Sequence, residues 1–205
     1  MRPRNAILRF LAFFIVIYAL MILPWPGLAD AYLTAANAVG ARLLGTVGKS
    51  GRVAYERDPA RPWTSKQTLY NLSAKVSIAV GRDYNSRQDF LATALVVALV
   101  LATPIPRRRK ALALAMGLLL INVFILWRIW IGLVDIFSEK PLEVIQLSPF
   151  WKEGVRLAVQ IFVGSIEATF IVPVFVWIVV SLRRTDLQEW ISKRPDRAGQ
   201  GVAGP

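Results

Sequence analysis

The chain has 205 residues, with 25 Lys and Arg against 13 Asp and Glu, no Cys and no His, and 55% of it is hydrophobic. Its charged share of 19% lies below the roughly 25% of soluble domains, and its apolar residues fall in long runs, which excludes a disordered chain and points to a membrane protein. Without Cys or His there is no thiolate nucleophile, disulfide framework, Cys/His zinc site, imidazole base or haem with His or Cys axial ligation, and the sequence carries no cofactor motif.

A spanning helix needs about 17–25 mostly apolar residues. The first such run, residues 10–28, reads FLAFFIVIYALMILPWPGL and follows Arg2, Arg4 and Arg9. It fits a retained span. A basic start, an apolar stretch and Ala29-Asp30-Ala31 also fit a signal peptide with an A-x-A cleavage site, which would leave three spans.

Residues 29–89 form an external segment. Tyr32, Ala36, Val39, Leu43 and Val47 recur at helical spacing, which predicts a helix lying on the membrane interface or on the bundle. Leu72, Ala74, Val76, Ile78 and Val80 alternate with Ser73, Lys75, Ser77 and Ala79, a half-buried strand by its period of two. Val53 and Tyr55 suggest a shorter strand pairing with it across the turn-rich run from Asp58 to Pro62. Asn71-Leu72-Ser73 matches a glycosylation acceptor, a three-residue pattern too short to carry weight. So few apolar residues make a marginal independent domain, and the segment is expected to fold down onto the spans.

Three further runs follow: residues 90–105, ending at Pro104 and Pro106; residues 111–137; and residues 157–182, apolar apart from Ser165, Glu167 and Thr169. Arg107-Arg108-Arg109-Lys110 joins the first two of these in a turn too short to hold a domain, so they form an antiparallel hairpin. The tail, residues 183–205, sets Leu187, Trp190 and Ile191 among Arg183, Arg184, Lys193 and Arg194, an interfacial pattern before a Gly/Pro-rich end. The fold class expected is an all-α membrane protein of about four transmembrane helices with a small mixed external segment. Its parts are residues 1–28, 29–89, 90–182 and 183–205. The short basic clusters place both termini in the cytoplasm. They mark topology and anionic-lipid contact, not nucleic-acid binding.

Charges inside spans are costly and mark sites. Arg128 lies about 26 Å above Ala111 and Glu167 about 15 Å below Leu157, at about 1.5 Å per helical residue. Their reach predicts an ion pair, either a structural lock between two helices or a binding site. Alternatively, Arg128 snorkels to the interface beside Trp127 and Trp130. The polar run Tyr84-Asn85-Ser86-Arg87-Gln88-Asp89 opens the second span; as plain structure it is a helix start, with Asn85 or Ser86 as N-cap and Asp89 favouring the dipole.

Arg9-Phe10-Leu11-Ala12-Phe13-Phe14 with Tyr18 and Pro24, then an external segment, a short polar motif opening a span, a basic turn, Leu120-Ile121-Asn122-Val123 and Arg128 resemble the exosortase/archaeosortase family over residues 6–182. The resemblance implies an integral-membrane relative of transpeptidases that process proteins with C-terminal sorting signals, with Asn85, Ser86 and Arg128 at family positions. The chain departs from the family where its chemistry lies. Asn85-Ser86-Arg87 stands where the nucleophilic Cys opens its motif, Asn122 and Arg128 are further apart than the family's Asn and Arg, and Ser148 to Glu153 supplies no His. Ser86 would need a base: Lys152 or Glu153 has no motif behind it, and the nearest in sequence, Asp83 and Asp89, are weak bases toward a hydroxyl at an ordinary carboxylate pKa of about 3.9.

The resemblance thus implies a non-catalytic protein that binds an exported chain's C-terminal segment or assists processing of exported, membrane-anchored proteins. The alternative is a non-enzymatic accessory subunit of a larger membrane complex, which seven Trp and ten Phe would suit. A third reading is a small transporter or lipid-handling module built on Arg128 and Glu167. Membrane lipids are expected partners in all three.

Overall fold

The computed structural model describes residues 3–57, 64–165 and 167–181. Helices α1 (Pro3–Ile22) and α2 (Trp25–Leu44) lead into strands β1 (Thr46–Val47), β2 (Gly51–Arg57), β3 (Thr64–Asn71) and β4 (Val76–Asn85). Helices α3 (Ser86–Ala102), α4 (Arg107–Phe137), α5 (Pro149–Ala158) and α6 (Glu167–Ser181) follow, with a π-helical turn, Val159–Val163, between the last two. The fold is mostly helical with one small antiparallel sheet.

Among the described residues helix α4 alone is long and apolar enough to cross a membrane by itself; the number rises to as many as three if each of two bent helix pairs counts as one span. Two of the expected straight spans are therefore broken. The run over residues 10–28 bends by 78° between Ile7–Ile22 and Gly27–Leu44. Pro24 stands at the break, where it lacks an N–H and disfavours helix in the residue before it. The run over residues 157–182 bends by 83° between Pro149–Val163 and Glu167–Ser181.

Helix α3 is the hub of the bundle and packs against α1, α4 and α6. Ala92, Val96 and Val100 form a core with Ala113, Ile121 and Ile125 of α4, while Ala94 and Ala98 are buried on other sides of α3. Alanines keep the helix thin, so three neighbours approach it closely. Gly117 of α4 carries this furthest: a Cβ there would lie 2.9 Å from Val96 Cγ1.

The tight turn between α3 and α4 is cross-braced. Lys110 Nζ donates to the Leu101 carbonyl at 2.8 Å, satisfying one of the open carbonyls at the end of α3. Thr103 Oγ1 donates to Leu99 and accepts from Trp177 Nε1 at 2.8 Å, which ties α6 to the same turn. At the bundle's side, Phe10 of α1 stacks on Trp177 at 5.9 Å.

The sheet runs β1-β2-β3-β4, every pair antiparallel. The pairing predicted between the Val53 strand and the Leu72–Val80 strand does not form. Instead β3, whose sequence TSKQTLYN is too polar to announce itself, lies between them and sets Val53 opposite Leu69 and Leu69 opposite Ile78. Residues 72–75 are a turn, with Lys75 at φ 54°, so the alternation begins at Val76. The turn-rich residues 58–62 lie outside the described residues.

Leu44, Val47, Val53 and Leu69 enclose Leu133 and Phe137 from the last turns of α4, forming a second core. At about 1.5 Å per residue α4 is about 46 Å long, which lets one helix cross the bundle and hold up the sheet. The predicted helix around Tyr32 exists as α2, but with a different buried face. Ala29, Leu33, Gly40 and Leu44 face inward, Val39 and Leu43 are exposed, and Val47 belongs to β1. Gly40 allows the Tyr55 ring to lie against the α2 backbone, with a Cβ position only 3.2 Å from the ring.

Asn71 is buried, so the apparent glycosylation acceptor is a structural clamp. Its Oδ1 accepts from the Ser73 and Ala74 amides at 2.9 and 3.1 Å, and its Nδ2 donates to the Leu142 carbonyl. One side chain thus fixes both the β3–β4 turn and the loop after α4.

Candidate functional site: a buried ion pair beneath the sheet

Arg128 stands on α4 between the bundle core and the sheet core, next in the buried stripe after Ile121 and Ile125. Its Nη2 donates to Asp89 Oδ1 at 2.9 Å, and its Nη1 reaches Thr169 Oγ1 at 3.5 Å. Asp89 is 1% exposed, Arg128 7% and Thr169 2%. Three helices therefore converge: α3 and α6 by their first turns, and α4 by its wall.

Each element delivers its residue for a local reason. Asp89 sits in the first turn of α3, where a carboxylate is favoured by the helix dipole and by the unpaired first-turn amides. Thr169 sits in the first turn of α6. Two positive helix ends meet the Arg128 guanidinium here, and the Asp89 carboxylate is the buried anion between them. Tyr32 of α2 borders the cluster, its ring edge-on to Phe90 at 5.6 Å. A separate aromatic group, Phe124, Trp127 and Phe162, fastens α4 to the π-helical turn.

The expected Arg128–Glu167 pair is not formed. Glu167 is exposed at the start of α6, and Arg128 turns to Asp89 instead. A continuous span would hold Glu167 near its middle, whereas the bend after the π-helical turn puts it at a helix end. Positions two apart on a helix differ by about 200° in direction at 3.6 residues per turn, so when Thr169 faces Arg128, Glu167 faces away. Asp89, by sequence a helix-start residue, is the partner instead; its signal in the sequence is a carboxylate at the edge of an apolar run.

Asn85 ends β4, opposite Thr64, and Ser86 begins α3, so the backbone brings both within a turn of Asp89; their side chains lie outside the described residues. Asn122 is exposed and donates to the Leu118 carbonyl at 2.7 Å, off the buried stripe that carries Arg128. Glu153 is likewise exposed and pairs with Arg156 at 3.5 Å. Among the described residues no three Asp or Glu side chains gather to hold a metal ion.

A second feature lies nearby. A cleft of about 560 Å³ opens between the end of α4 and the π-helical turn, lined by Asp135, Glu139, Arg156 and Gln160 with Val159 and Val163. Arg156 and Glu139 pair across it at 3.5 Å. The wide turn pushes one residue out of helical register, a device common at binding sites. The cleft offers both charges and an amide on apolar flanks.

No family model, curated protein or solved structure matches this chain.

Proposed function

We propose that this chain is a non-catalytic, exosortase-like protein of the inner membrane that binds the C-terminal segment of exported, membrane-anchored proteins and assists their processing. The observation that carries the reading is the buried pairing of Arg128 with Asp89. An arginine neutralised by a carboxylate and held between two helix starts is a structural tie, not a free cation awaiting a developing negative charge. With neither Cys nor His in the chain, thiol acyl transfer has no nucleophile and no base.

The topology we propose has four crossings, α1, α3, α4 and α6, with both termini in the cytoplasm and the sheet outside. The basic residues 107–110, which open α4, support this orientation. Although α3 is short, its central position hides most of its surface from lipid. Helix α5, with Phe150 and Trp151 exposed beside Glu153 and Arg156, has the amphipathic pattern of a helix lying in the outer interface. Ala29 is packed within α2 and Asp30 pairs with Arg57, which favours a retained first helix over a cleaved leader.

The test is genetic and chemical together. A strain lacking the protein should accumulate an unprocessed exported protein with a C-terminal membrane anchor, and Ser86→Ala or Asn85→Ala should restore processing. A photocrosslinker at exposed Gln160 should capture that same protein. Failure of Ser86→Ala to restore processing, in protein that inserts normally, would revive a serine transpeptidase and end this reading.

A further inference from the structure

Asn122 stands at the midpoint of α4, on a side turned away from the bundle core. Its surroundings are apolar: Leu118, Leu119 and Val123 are exposed beside it, and no Asp, Glu, Lys or Arg occurs between Lys110 and Arg128. At about 1.5 Å per residue the amide lies about 18 Å beyond Lys110, close to the middle of a hydrocarbon core of about 30 Å. A polar side chain at that depth and on that face is costly without a partner, because lipid offers none.

Its own helix satisfies only part of it. Asn122 Nδ2 donates to the Leu118 carbonyl at 2.7 Å. Among the described residues the side chain makes no other hydrogen bond, which leaves the acceptor Oδ1 and a second N–H toward the lipid. A carboxamide is self-complementary, donor and acceptor at once. The membrane adds a constraint: every copy of one chain inserts the same way up. Two α4 helices side by side are therefore parallel, and each residue meets its counterpart at the same depth. A foreign span would carry a matching polar group there by coincidence; a second copy carries one by construction. Ala115 and Ala111, seven and eleven residues before Asn122, lie exposed on the same side of the helix. Their short side chains let two backbones approach until the amides meet.

We infer that the chain forms a twofold homodimer in the membrane through this face of α4, with the two Asn122 amides exchanging a reciprocal pair of hydrogen bonds across the axis. A single Asn at the seam of two parallel helices also fixes their register, since any slip leaves both amides unpaired. The inference rests on α4 crossing the membrane, as proposed above, and is independent of the exosortase-like role.

Because the chain lacks Cys, one introduced thiol reports only its own position. Two differently tagged copies of the full chain carrying Ala115→Cys, co-expressed and mildly oxidised in native membranes, should join as a disulfide-linked homodimer. Met116→Cys, also exposed but about 100° further round the helix, should give at most a tenth of that yield. Asn122→Leu in the Ala115→Cys chain should lower the yield at least fivefold, and Asn122→Gln, which keeps the amide, should retain it. Absence of the Ala115 crosslink, equal crosslinking through Met116→Cys, a disulfide to a different protein in place of the second copy, or an undiminished yield with Asn122→Leu overturns the dimer. Resistance of the chain to alkaline extraction, with a reporter fused after Arg109 reading cytoplasm, establishes the crossing separately. A failed crosslink in such protein counts against the dimer alone, whereas loss of the crossing overturns both.

Discussion

Arg128 and Asp89 lie 39 positions apart in the chain, yet the guanidinium Nη2 and the carboxylate Oδ1 meet at 2.9 Å in a place almost closed to solvent. The pair sits where the bundle core ends and the sheet core begins. It couples the first turn of α3 to the helix that supports the sheet.

Removing one partner leaves the other buried and uncompensated, at a cost of about 3–5 kcal/mol. Asp89→Ala and Arg128→Ala should each lower the melting temperature sharply in detergent. The double change Asp89→Asn with Arg128→Met should cost distinctly less than the sum of its two single changes. Glu167→Gln, at an exposed helix start, should stay within about 0.5 kcal/mol of the parent. A cycle showing strong coupling of Arg128 to Glu167 and none to Asp89 would reject this pairing.

Gly117 tests the close approach of α3 and α4. A methyl there would lie 2.9 Å from Val96 Cγ1, and Val96 is fully buried, so it has no open space to turn into. Overpacking of this kind costs about 1–3 kcal/mol. Alanine recovers up to about 1 kcal/mol through helix propensity. Gly117→Ala should therefore lower thermal stability, and adding Val96→Ala should restore part of the loss by opening space. Stabilisation by Gly117→Ala alone would show that the helices have room to move apart.

Tyr55 on β2 has a buried hydroxyl with no hydrogen-bond partner among the described residues. Burial pushes its phenol from the ordinary 10.0 up to about 12. The sign follows from linkage: between those values the unfolded chain releases the proton and the folded chain keeps it, so stability falls as pH rises. The parent should lose stability from pH 10 towards pH 12, and Tyr55→Phe should lack that component of the loss. Near neutral pH, Tyr55→Phe should gain up to about 1 kcal/mol, because an unpaired buried hydroxyl is removed. Thermal melts at pH 7 and across the alkaline range read both effects, and a destabilised Tyr55→Phe would show that the hydroxyl has a partner.

Much of the architecture follows from composition and local pattern. The two apolar runs define the α3–α4 hairpin, because few charged residues interrupt them and the prolines after Ala102 end the first helix; the turn itself lies at residues 103–106, and the basic residues 107–110, expected to form it, open α4 instead. The alternation at Val76, Ile78 and Val80 marks β4, because its side chains lie by turns on opposite faces. Arg128 stands out as a charge within an apolar run, whatever its partner.

What the sequence could not determine depends on three-dimensional neighbours. Strand β3 has little apolar signal of its own and exists because β2 and β4 pair with both its edges. The inward face of α2 is set by small residues, Ala29 and Gly40, whose value lies in how closely the sheet and bundle can approach, which no hydrophobicity pattern records. The choice of Asp89 over Glu167 depends on the bend after the π-helical turn. That bend moves Glu167 from the expected mid-span to an exposed helix end, while packing of α3 between its neighbours sets Asp89 beside Arg128. A charge's place in the chain announces its cost; only the packed helices decide which opposite charge offsets it.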